Sequence, residues 1–307
     1  MNNKLEKMCY IQRLVSIAIP AYKAEFLSEA IDSALGQDYT NIELIIVNDA
    51  SPYDLDGILA RYNDSRIRYY KNEKNLGKQS IVLNWNKCLS LAKGEFFVLL
   101  CDDDILLPSF VSDLLKLSER YPSCNVFHAR KYNMYSDGRK EASPVWPDFE
   151  EGETFIKNSM NKYRHHTVTE FMFRTLTLKN NRGYVNFPVG FYSDRATIMQ
   201  IGLTGGIVSS DKCLVIFRFS DGHITSSKDP FYSMEKVKAA LDYWRWIHHL
   251  KYWIKDFDKQ IKEDVQCTIY NSFIVSSFFC KIKILMIVPL DVLSIKERLG
   301  FMMTIFS

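Results

Sequence analysis

The sequence has few features of a secreted, membrane-spanning or nucleic-acid-binding protein. Its 307 residues include seven cysteines, an odd number without Cys-x-x-Cys spacing, which argues against disulfides or a zinc site and for a reducing compartment. No stretch reaches the roughly 18 apolar residues of a membrane-spanning helix, because Lys281 and Lys283 interrupt the most hydrophobic tract. The net charge is only +3 without a dense basic run, so we expect no binding to nucleic acid.

The composition that remains is that of a folded globular protein. Apolar residues make up 47% of the chain and charged residues 24%, and the length allows one large domain or a domain with an appendage. An apolar run at residues 14–19 follows a basic N-terminus, but it is too short for a secretion signal and ends at Pro20. We therefore expect the protein in the cytoplasm or on the cytosolic face of a membrane.

The first half of the chain alternates β-rich runs with helical patterns, which is typical of an α/β fold with a mostly parallel sheet. The pattern predicts strands at 14–19, 42–47, 67–70 and 95–100, and helices at about 27–35, 55–62 and 80–92. Ligands of such sheets bind beyond the carboxyl ends of the strands. Pro20, Asp49 and the triplet at 102–104 all fall at that edge.

The rest of the chain is less regular. Strand-like runs at 126–130, 168–173 and 214–219 alternate with loops and indicate a mixed sheet. Residues 233–262 and 268–305 have apolar and aromatic residues at helical spacing. Their mixture of aromatic residues and lysines suits an interfacial membrane helix, but it equally suits a hairpin packed on the rest of the chain or on a second subunit.

The triplet of Asp102, Asp103 and Asp104 directly follows a predicted strand. Adjacent carboxylates form an anionic spot that a cation or a proton must neutralise. Oxygen ligands of this kind suit Mg²⁺ or Mn²⁺ shared with the phosphates of a substrate. The alternative is that the aspartates cap the next helix, for which one would suffice.

Five motifs occur in a fixed order along the chain. They are VSIAIPAY at 15–22, SALGQDY at 33–39, IIVNDAS at 45–51, NLG at 75–77 with NWN at 84–86, and GEFF at 94–97 before the aspartates. In this order they resemble the inverting GT-A glycosyltransferases of family 2, which include bacterial enzymes of O-antigen and capsule assembly. The resemblance extends over about residues 13–226.

The resemblance implies a GT-A fold, a Rossmann-like three-layer α/β/α arrangement with a mostly parallel sheet. The glycosyltransferase domain would span residues 1–227, with a nucleotide-binding half at about 13–125 and an acceptor half at about 126–227. A helical, amphipathic C-terminal extension would follow at 228–307.

The resemblance also implies a nucleotide site for a UDP-sugar. Tyr22 would stack on the uracil ring, Pro20 would shape the loop, and Asp49 would accept a hydrogen bond from the uracil N3–H. Lys78 would bind the nucleotide, and Asp102 the ribose or the metal. As alternatives, Tyr22 could belong to the core and Asp49 could close a turn.

A metal, Mn²⁺ or Mg²⁺, would be held by Asp103, with Asp104 as a ligand through water or as a helix cap. Cys101 stands where many relatives begin an Asp-x-Asp motif, and a thiol is a poor ligand for a hard cation. FRFSDGH at 217–223 resembles the family's Arg-x-His ending. By that resemblance His223 could approach the metal and Arg218 the phosphate.

The segment FYSDRA at 191–196 resembles the element that supplies the catalytic base. Asp194 would remove the proton from the acceptor hydroxyl. Ser193 or Asp194 could instead cap a helix, which is compatible with catalysis. The histidine pairs at 165–166 and 248–249 are predicted to be structural, because adjacent side chains point to different sides of a helix or strand.

Together these observations predict an inverting, metal-dependent transferase. It would move a hexose or N-acetylhexosamine from a UDP-sugar to a lipid-linked (polyprenyl diphosphate) glycan, at the inner face of the cytoplasmic membrane. The C-terminal helices would contact the membrane or form a homodimer. Two other hypotheses are a nucleotide-binding scaffold without catalysis and a nucleotidyltransferase, although the first predicted strand leads into no glycine-rich loop.

Overall fold

The computed structural model describes residues 10–159, 165–219, 229–250 and 258–306. The strands are β1 (Ile11–Ala21), β2 (Ile42–Asn48), β3 (Ile67–Lys71), β4 (Gly94–Leu99), β5 (Ile105–Leu106), β6 (Val126–Met134), β7 (Lys140–Ala142), β8 (Phe149–Glu150), β9 (Phe171–Arg174) and β10 (Ile207–Arg218). The helices are α1 (Leu27–Leu35), α2 (Leu55–Leu59), α3 (Ile81–Leu91), α4 (Phe110–Arg120), α5 (Gly152–Ser159), α6 (Thr175–Asn180), α7 (Ser193–Gly202), α8 (Pro230–His248), α9 (Asp258–Ile274), α10 (Phe278–Ile287) and α11 (Ile295–Phe306).

All of these strands belong to one sheet. Its order is β3-β2-β1-β4-β9-β6-β10-β5, with β7 on β6 and β8 on β10. Strands β3, β2, β1 and β4 run parallel, as the alternating pattern of the first half predicts. Strand β9 is antiparallel to both β4 and β6, whereas β6 and β10 are parallel, so the second half is mixed as expected.

The register of the parallel strands aligns their carboxyl ends. Ala21 of β1 pairs with Asn48 of β2, and Ala18 of β1 pairs with Leu99 of β4. The residues that follow these strands, including Tyr22, Asp49 and Asp102, therefore emerge at the same edge of the sheet.

Helices cover both faces of the sheet and complete three layers. In one core, α1, α2 and α4 pack on the sheet. Helix α1 buries apolar residues at helical spacing, including Leu27 and Ile31. The other core contains α3, α6 and α7. Strand β2 is buried along its whole length, and its residues 44–47 form a continuous apolar run rather than an alternating one.

The C-terminal helices extend the second core. Val237 of α8 and Ile261 of α9 are fully buried in the same cluster as Trp85 of α3. The predicted domain boundary at residue 227 lies outside the described residues and stays a prediction. In the part of the chain that the structure describes, no helix has the length and apolar content needed to cross a bilayer.

Several predicted elements differ from the structure in their bounds or type. The helix predicted at 55–62 ends at Leu59. The strand predicted at 168–173 is wrong in its first half, because Val168–Glu170 forms a 3₁₀ turn. Thr167 and Glu170 cap this turn reciprocally, which draws the Glu170 carboxylate back onto the backbone. Strand β10 begins at Ile207, seven residues before the predicted start at 214.

Candidate active site

A cleft of about 820 Å³ opens at the carboxyl edge of β1, β2 and β4. The predicted site residues that line it are Pro20, Tyr22, Asp49, Lys78, Asp102, Asp103 and Asp194. They come from five separate segments of the sequence. The fold brings them to one concave surface, which is where a small-molecule ligand is expected.

Tyr22 and Pro20 form one wall of this cleft. Tyr22 is 39% exposed, and its carbonyl accepts a hydrogen bond from Ser51 Oγ at 2.6 Å. Its backbone N–H donates to Asp102 Oδ2 at 2.8 Å. The loop after β1 is thus fixed by its backbone, which leaves the aromatic ring in the cleft as a stacking surface.

Asp49 organises the neighbouring loop. Its Oδ1 accepts hydrogen bonds at 2.8 Å from Asn72 Nδ2 and from the N–H of Leu76, and its Oδ2 accepts one from the N–H of Gly77 at 2.8 Å. A Cβ at Gly77 would lie 3.1 Å from Asp49 Oδ2, so glycine permits this close approach. A carboxylate has about four acceptor positions, so one on Oδ2 remains for a ligand.

Asp102 is fixed by the loop that follows β1. Its Oδ2 accepts hydrogen bonds from the N–H groups of Tyr22 at 2.8 Å and Lys23 at 2.7 Å. Burial and the adjacent charge of Asp103 raise the pKa of Asp102 to about 6, although these hydrogen bonds oppose the shift. The site holds more negative charge than its surroundings fully compensate, which favours a cation.

Asp103 also lines the cleft, and it forms an ion pair with Lys23. The Lys23 Nζ lies 3.0 Å from Asp103 Oδ2, and the Asp103 side chain is only 9% exposed. Lys23 directly follows Tyr22 in the loop, but it is not among the site residues predicted from the sequence. This lysine supplies positive charge at the position predicted for a metal.

The donor set suits a metal that a substrate helps to bind. Among the described residues, no group of three or more His, Cys, Asp or Glu side chains could by itself hold an ion. Asp102 and Asp103 supply two hard carboxylates at the cleft surface. Mg²⁺ commonly binds to one or two carboxylates plus substrate phosphates, so these residues fit such an ion.

The other predicted metal and phosphate contacts do not line the cleft as described. Asp104 is 1% exposed and accepts a hydrogen bond from Thr169 Oγ1 at 2.7 Å. The Arg218 guanidinium lies 3.8 Å from the Phe26 ring centre and forms a 2.8 Å ion pair with Glu29. These contacts direct Arg218 to α1, and its phosphate role stays a prediction. His223 lies outside the described residues.

Asp194 lies in the first turn of α7 and lines the same cleft. Its Oδ1 accepts a hydrogen bond from the N–H of Arg195 at 2.7 Å. Burial raises the pKa of Asp194 above its ordinary value, although that hydrogen bond and the charge of Arg195 oppose the shift. A carboxylate with a raised pKa is a stronger base, which suits proton removal from a hydroxyl.

Residues from distant parts of the chain complete the cleft, and none of the five motifs indicates them. The lining residues from the C-terminal helices are Phe231 and Tyr232 of α8 and Asp264 and Thr268 of α9. From the sequence, these helices are predicted to contact a membrane, the rest of the chain or a second subunit, and none of these predictions assigns them cleft residues. Helical periodicity identifies the buried face of a helix, but it does not reveal which residues of the helix line the cleft.

The two histidine pairs have different surroundings. His165 and His166 line the cleft, and burial lowers the pKa of His166 well below its ordinary value, so its ring is neutral. The rings of His248 and His249 each lie within hydrogen-bond distance of the carbonyl four residues earlier, at 2.7 and 2.6 Å.

Two solved structures share this fold. S. aureus TarS 1-349 in complex with UDP-GlcNAc matches with a TM-score of 0.59 and 17% identity, over 95% of this chain and 90% of that one. The mannosyltransferase PcManGT from Pyrobaculum calidifontis, in complex with GDP-Man and Mn²⁺, matches with a TM-score of 0.58 and 12% identity, over 95% and 85%. At these identities the likeness concerns the fold, which is GT-A as predicted.

Curated relatives match parts of the chain. An uncharacterized glycosyltransferase of Rickettsia typhi is 34% identical over 44% of this chain and 41% of its own length. The putative colanic acid biosynthesis glycosyl transferase WcaA of Escherichia coli is 34% identical over 39% of this chain and 43% of its own length. The GalNAc(5)-diNAcBac-PP-undecaprenol beta-1,3-glucosyltransferase of Campylobacter jejuni is 35% identical over 60% of this chain and 58% of its own length. Each match spans less than two thirds of the relative.

The sequence model of one family matches residues 16–179, which is more than half of the chain. The matched region begins in β1 and ends in α6, so it contains the loops that carry Tyr22, Asp49 and Asp103. The ordered motifs, the fold and this match agree, and the protein belongs to glycosyl transferase family 2.

Proposed function

We propose that the protein is an inverting glycosyltransferase that moves a hexose or N-acetylhexosamine from a UDP-sugar to a hydroxyl of a lipid-linked glycan in bacterial surface-polysaccharide assembly. One observation carries the proposal. A single cleft joins the aromatic ring of Tyr22, the carboxylates of Asp102 and Asp103, and the partly buried carboxylate of Asp194. These are the groups needed to bind a base, a diphosphate and an acceptor.

The nucleotide end of the cleft suits uracil. Tyr22 offers an aromatic face, and Asp49 retains one acceptor position that an N3–H donor of uracil would fill. Cytosine has no such N–H group, so this contact favours uracil. Lys78 lines the same cleft and would contribute positive charge toward the nucleotide. S. aureus TarS, a structural neighbour, has been solved with UDP-GlcNAc.

Asp103, with Asp102 beside it, would hold the divalent ion. When bound, Mn²⁺ or Mg²⁺ would neutralise the charge of the departing diphosphate. Lys23 would then be free to change its partner from Asp103 to a phosphate oxygen. The mannosyltransferase neighbour contains Mn²⁺ together with its nucleotide-sugar.

Asp194 would act as the general base. It would take the proton of the acceptor hydroxyl as that oxygen attacks the anomeric carbon and the bond to the diphosphate breaks. A single displacement of this kind converts an α-linked donor into a β-linked product. General-base assistance typically contributes about 10²- to 10⁴-fold in rate.

The acceptor class follows from the C-terminal surface and from the relatives. The name of the Campylobacter relative includes an undecaprenol-linked acceptor. The name of the Escherichia relative includes colanic acid biosynthesis. In this chain, α10 and α11 expose several apolar side chains next to basic ones. The exposed apolar side chains are Phe278, Phe279, Ile282, Met286, Leu290, Ile295 and Leu299, and we name this set the C-terminal apolar face.

This face suits the interface of an anionic bilayer. Phe279 is 77% and Met286 78% exposed, and Lys281, Lys283 and Lys296 lie among the apolar residues. Apolar insertion and attraction of lysines to anionic headgroups act together in interfacial helices. Such contact would hold the cleft where a polyprenyl diphosphate acceptor lies. A homodimer through the same face is the alternative.

The function is tested by a donor screen that measures UDP release with Mn²⁺ and an undecaprenyl-diphosphate-linked sugar. We expect one donor to give acceptor-dependent UDP release that the Asp103→Asn variant lacks. No release from any donor, together with thermal stabilisation by UDP and Mn²⁺, would favour a binding protein. Release of diphosphate from a nucleoside triphosphate would favour a nucleotidyltransferase.

A further inference from the structure

The loop that presents Asp194 has an unfavourable backbone conformation. Val189, Gly190 and Tyr192 have φ angles of 49°, 71° and 68°. Branched and bulky residues seldom adopt positive φ, and they remain there only where the surroundings hold them. Gly190 is required, because a Cβ would lie 2.5 Å from Ile81 Cγ1. Other contacts must therefore hold the loop.

Tyr192 is held by both long C-terminal helices. Its ring stacks on Tyr243 of α8 with centres 4.5 Å apart and planes 4° from parallel. Its hydroxyl lies 2.7 Å from Thr268 Oγ1 on α9. The residue two positions before Asp194 thus has partners on two helices that lie outside the region matched by the family model.

Arg195, directly after Asp194, is held by the same helix α9. Its Nη1 donates to Asp264 Oδ2 at 2.7 Å, and its guanidinium lies 5.2 Å from the Tyr192 ring centre. The Arg195 side chain is 16% exposed and Asp264 33%. Burial opposes the charge of Arg195, but the Asp264 carboxylate outweighs it, so the pKa of Arg195 stays above its ordinary value.

We propose that Asp264 is a positioning residue for the reaction, because it holds the Arg195 guanidinium on α9 and away from the Asp194 carboxylate. The proposal rests on the proposed function in one respect, namely that Asp194 is the base. Without Asp264, Arg195 would carry an uncompensated buried charge one residue from Asp194. It would turn to that carboxylate and occupy the base, and the loop of residues 188–192 would lose one of its anchors.

The expected pH effect follows from the groups around Asp194. Arg195 and Lys131 act on its carboxylate as positive charges, and Tyr184 and Tyr243 are the neutral titratable groups near it. Loss of Asp264 leaves the charge of Arg195 uncompensated, which favours the ionised form of Asp194. The acid limb of the kcat profile should therefore move to lower pH, while the base itself weakens.

The test compares kcat and KM against pH for the wild type, Asp264→Asn, Asp264→Glu and Glu263→Gln. Glu263 is the neighbouring carboxylate on α9, exposed and outside the cleft lining, so Glu263→Gln is the matched control. We expect Asp264→Asn to lower kcat about 10-fold or more, with the acid limb at lower pH and the KM for the donor nearly unchanged. Asp264→Glu should restore most of kcat.

Hydrogen exchange of residues 188–196 gives a measurement that does not require turnover. We expect faster exchange there in Asp264→Asn than in the wild type, and no change in Glu263→Gln. If the wild type turns over no donor but Asp264→Asn still exchanges faster than the wild type, the proposed function is refuted and the anchoring of this loop by Asp264 is supported. Two results for Asp264→Asn would overturn the inference. One is a lower kcat without a shift of the acid limb. The other is a kcat, a pH profile and an exchange rate equal to those of Glu263→Gln.

Discussion

Lys23 compensates two adjacent carboxylates at once. Its Nζ donates to Asp103 Oδ2 at 3.0 Å, and its backbone N–H donates to Asp102 Oδ2 at 2.7 Å. The ammonium group therefore lies where the sequence predicts a divalent cation. A lysine and a metal at one carboxylate compete, since each reduces the negative charge available to the other.

The first prediction concerns this competition. Lys23→Met should increase the affinity of the nucleotide-free protein for Mn²⁺ by about tenfold, because one nearby positive charge is removed. Calorimetric titration with Mn²⁺ alone measures the change, and Lys74→Met, at an exposed lysine, is the control. Unchanged or weaker Mn²⁺ binding in Lys23→Met would show that the ion does not bind at Asp103.

The second prediction concerns a buried ion pair in the acceptor half. Glu170 lies 2.7 Å from Lys131 and 3.3 Å from His128, and all three side chains are at most 3% exposed. Burial opposes the ionised form, but Lys131 and His128 outweigh it and lower the pKa of Glu170 to about 2. Glu170→Gln should therefore destabilise the protein by about 3–5 kcal/mol at pH 7, because it leaves a buried lysine unpaired.

The pH dependence of this effect has a definite sign. A carboxylate whose folded pKa is depressed stabilises the fold above its unfolded pKa, near 4.5, and the stabilisation is lost as the pH falls toward about 2. Urea unfolding of the wild type and Glu170→Gln should thus converge between these pH values. A difference in unfolding free energy that stays constant down to pH 2 would contradict the assignment.

The third prediction concerns the C-terminal apolar face. Phe279→Glu and Met286→Glu should each reduce co-sedimentation with vesicles containing anionic lipid several-fold, because a carboxylate at the interface is costly and repelled. Val145→Glu, at another apolar residue that is 63% exposed, is the control for the same chemical change. If these variants bind vesicles like the wild type, and sedimentation velocity shows that they dissociate a wild-type dimer, the face contacts a second subunit instead.

Much of the nucleotide-binding half could be predicted from sequence, because local patterns and the fold agree there. Strands buried on both faces appear as continuous apolar runs, and the polar residues after them mark the edge of the sheet. Asp49 and Asp103 could be placed at this edge in this way, since each follows a strand, whereas Tyr22 was indicated only by the resemblance to family 2. Their hydrogen-bond partners could not, because Lys23 and Gly77 reach these carboxylates only once the loops fold.

The second half was less predictable for a different reason. Val168 and Phe171 both lie in a β-rich sequence, yet a capping interaction at Glu170 turns the first part into a 3₁₀ helix. This local cap, together with the tertiary ion pair between Glu170 and Lys131, overrides the β propensity of the segment. Asp264 illustrates the same limit, because its partner Arg195 is 69 residues away and helical periodicity does not indicate the pairing.

The central claim is that Asp194 removes the acceptor proton in a cleft that binds a UDP-sugar. The most direct test measures acceptor-dependent UDP release and UDP binding in the wild type and in Asp194→Asn, with the exposed Asp211→Asn as control. We expect Asp194→Asn to lower kcat about 10²- to 10⁴-fold with unchanged UDP affinity. The pKa of Asp194 is raised, so the wild-type rate should already fall at a pH above the ordinary pKa of an aspartate, as the carboxylate takes up a proton. Near wild-type turnover in Asp194→Asn would contradict the account.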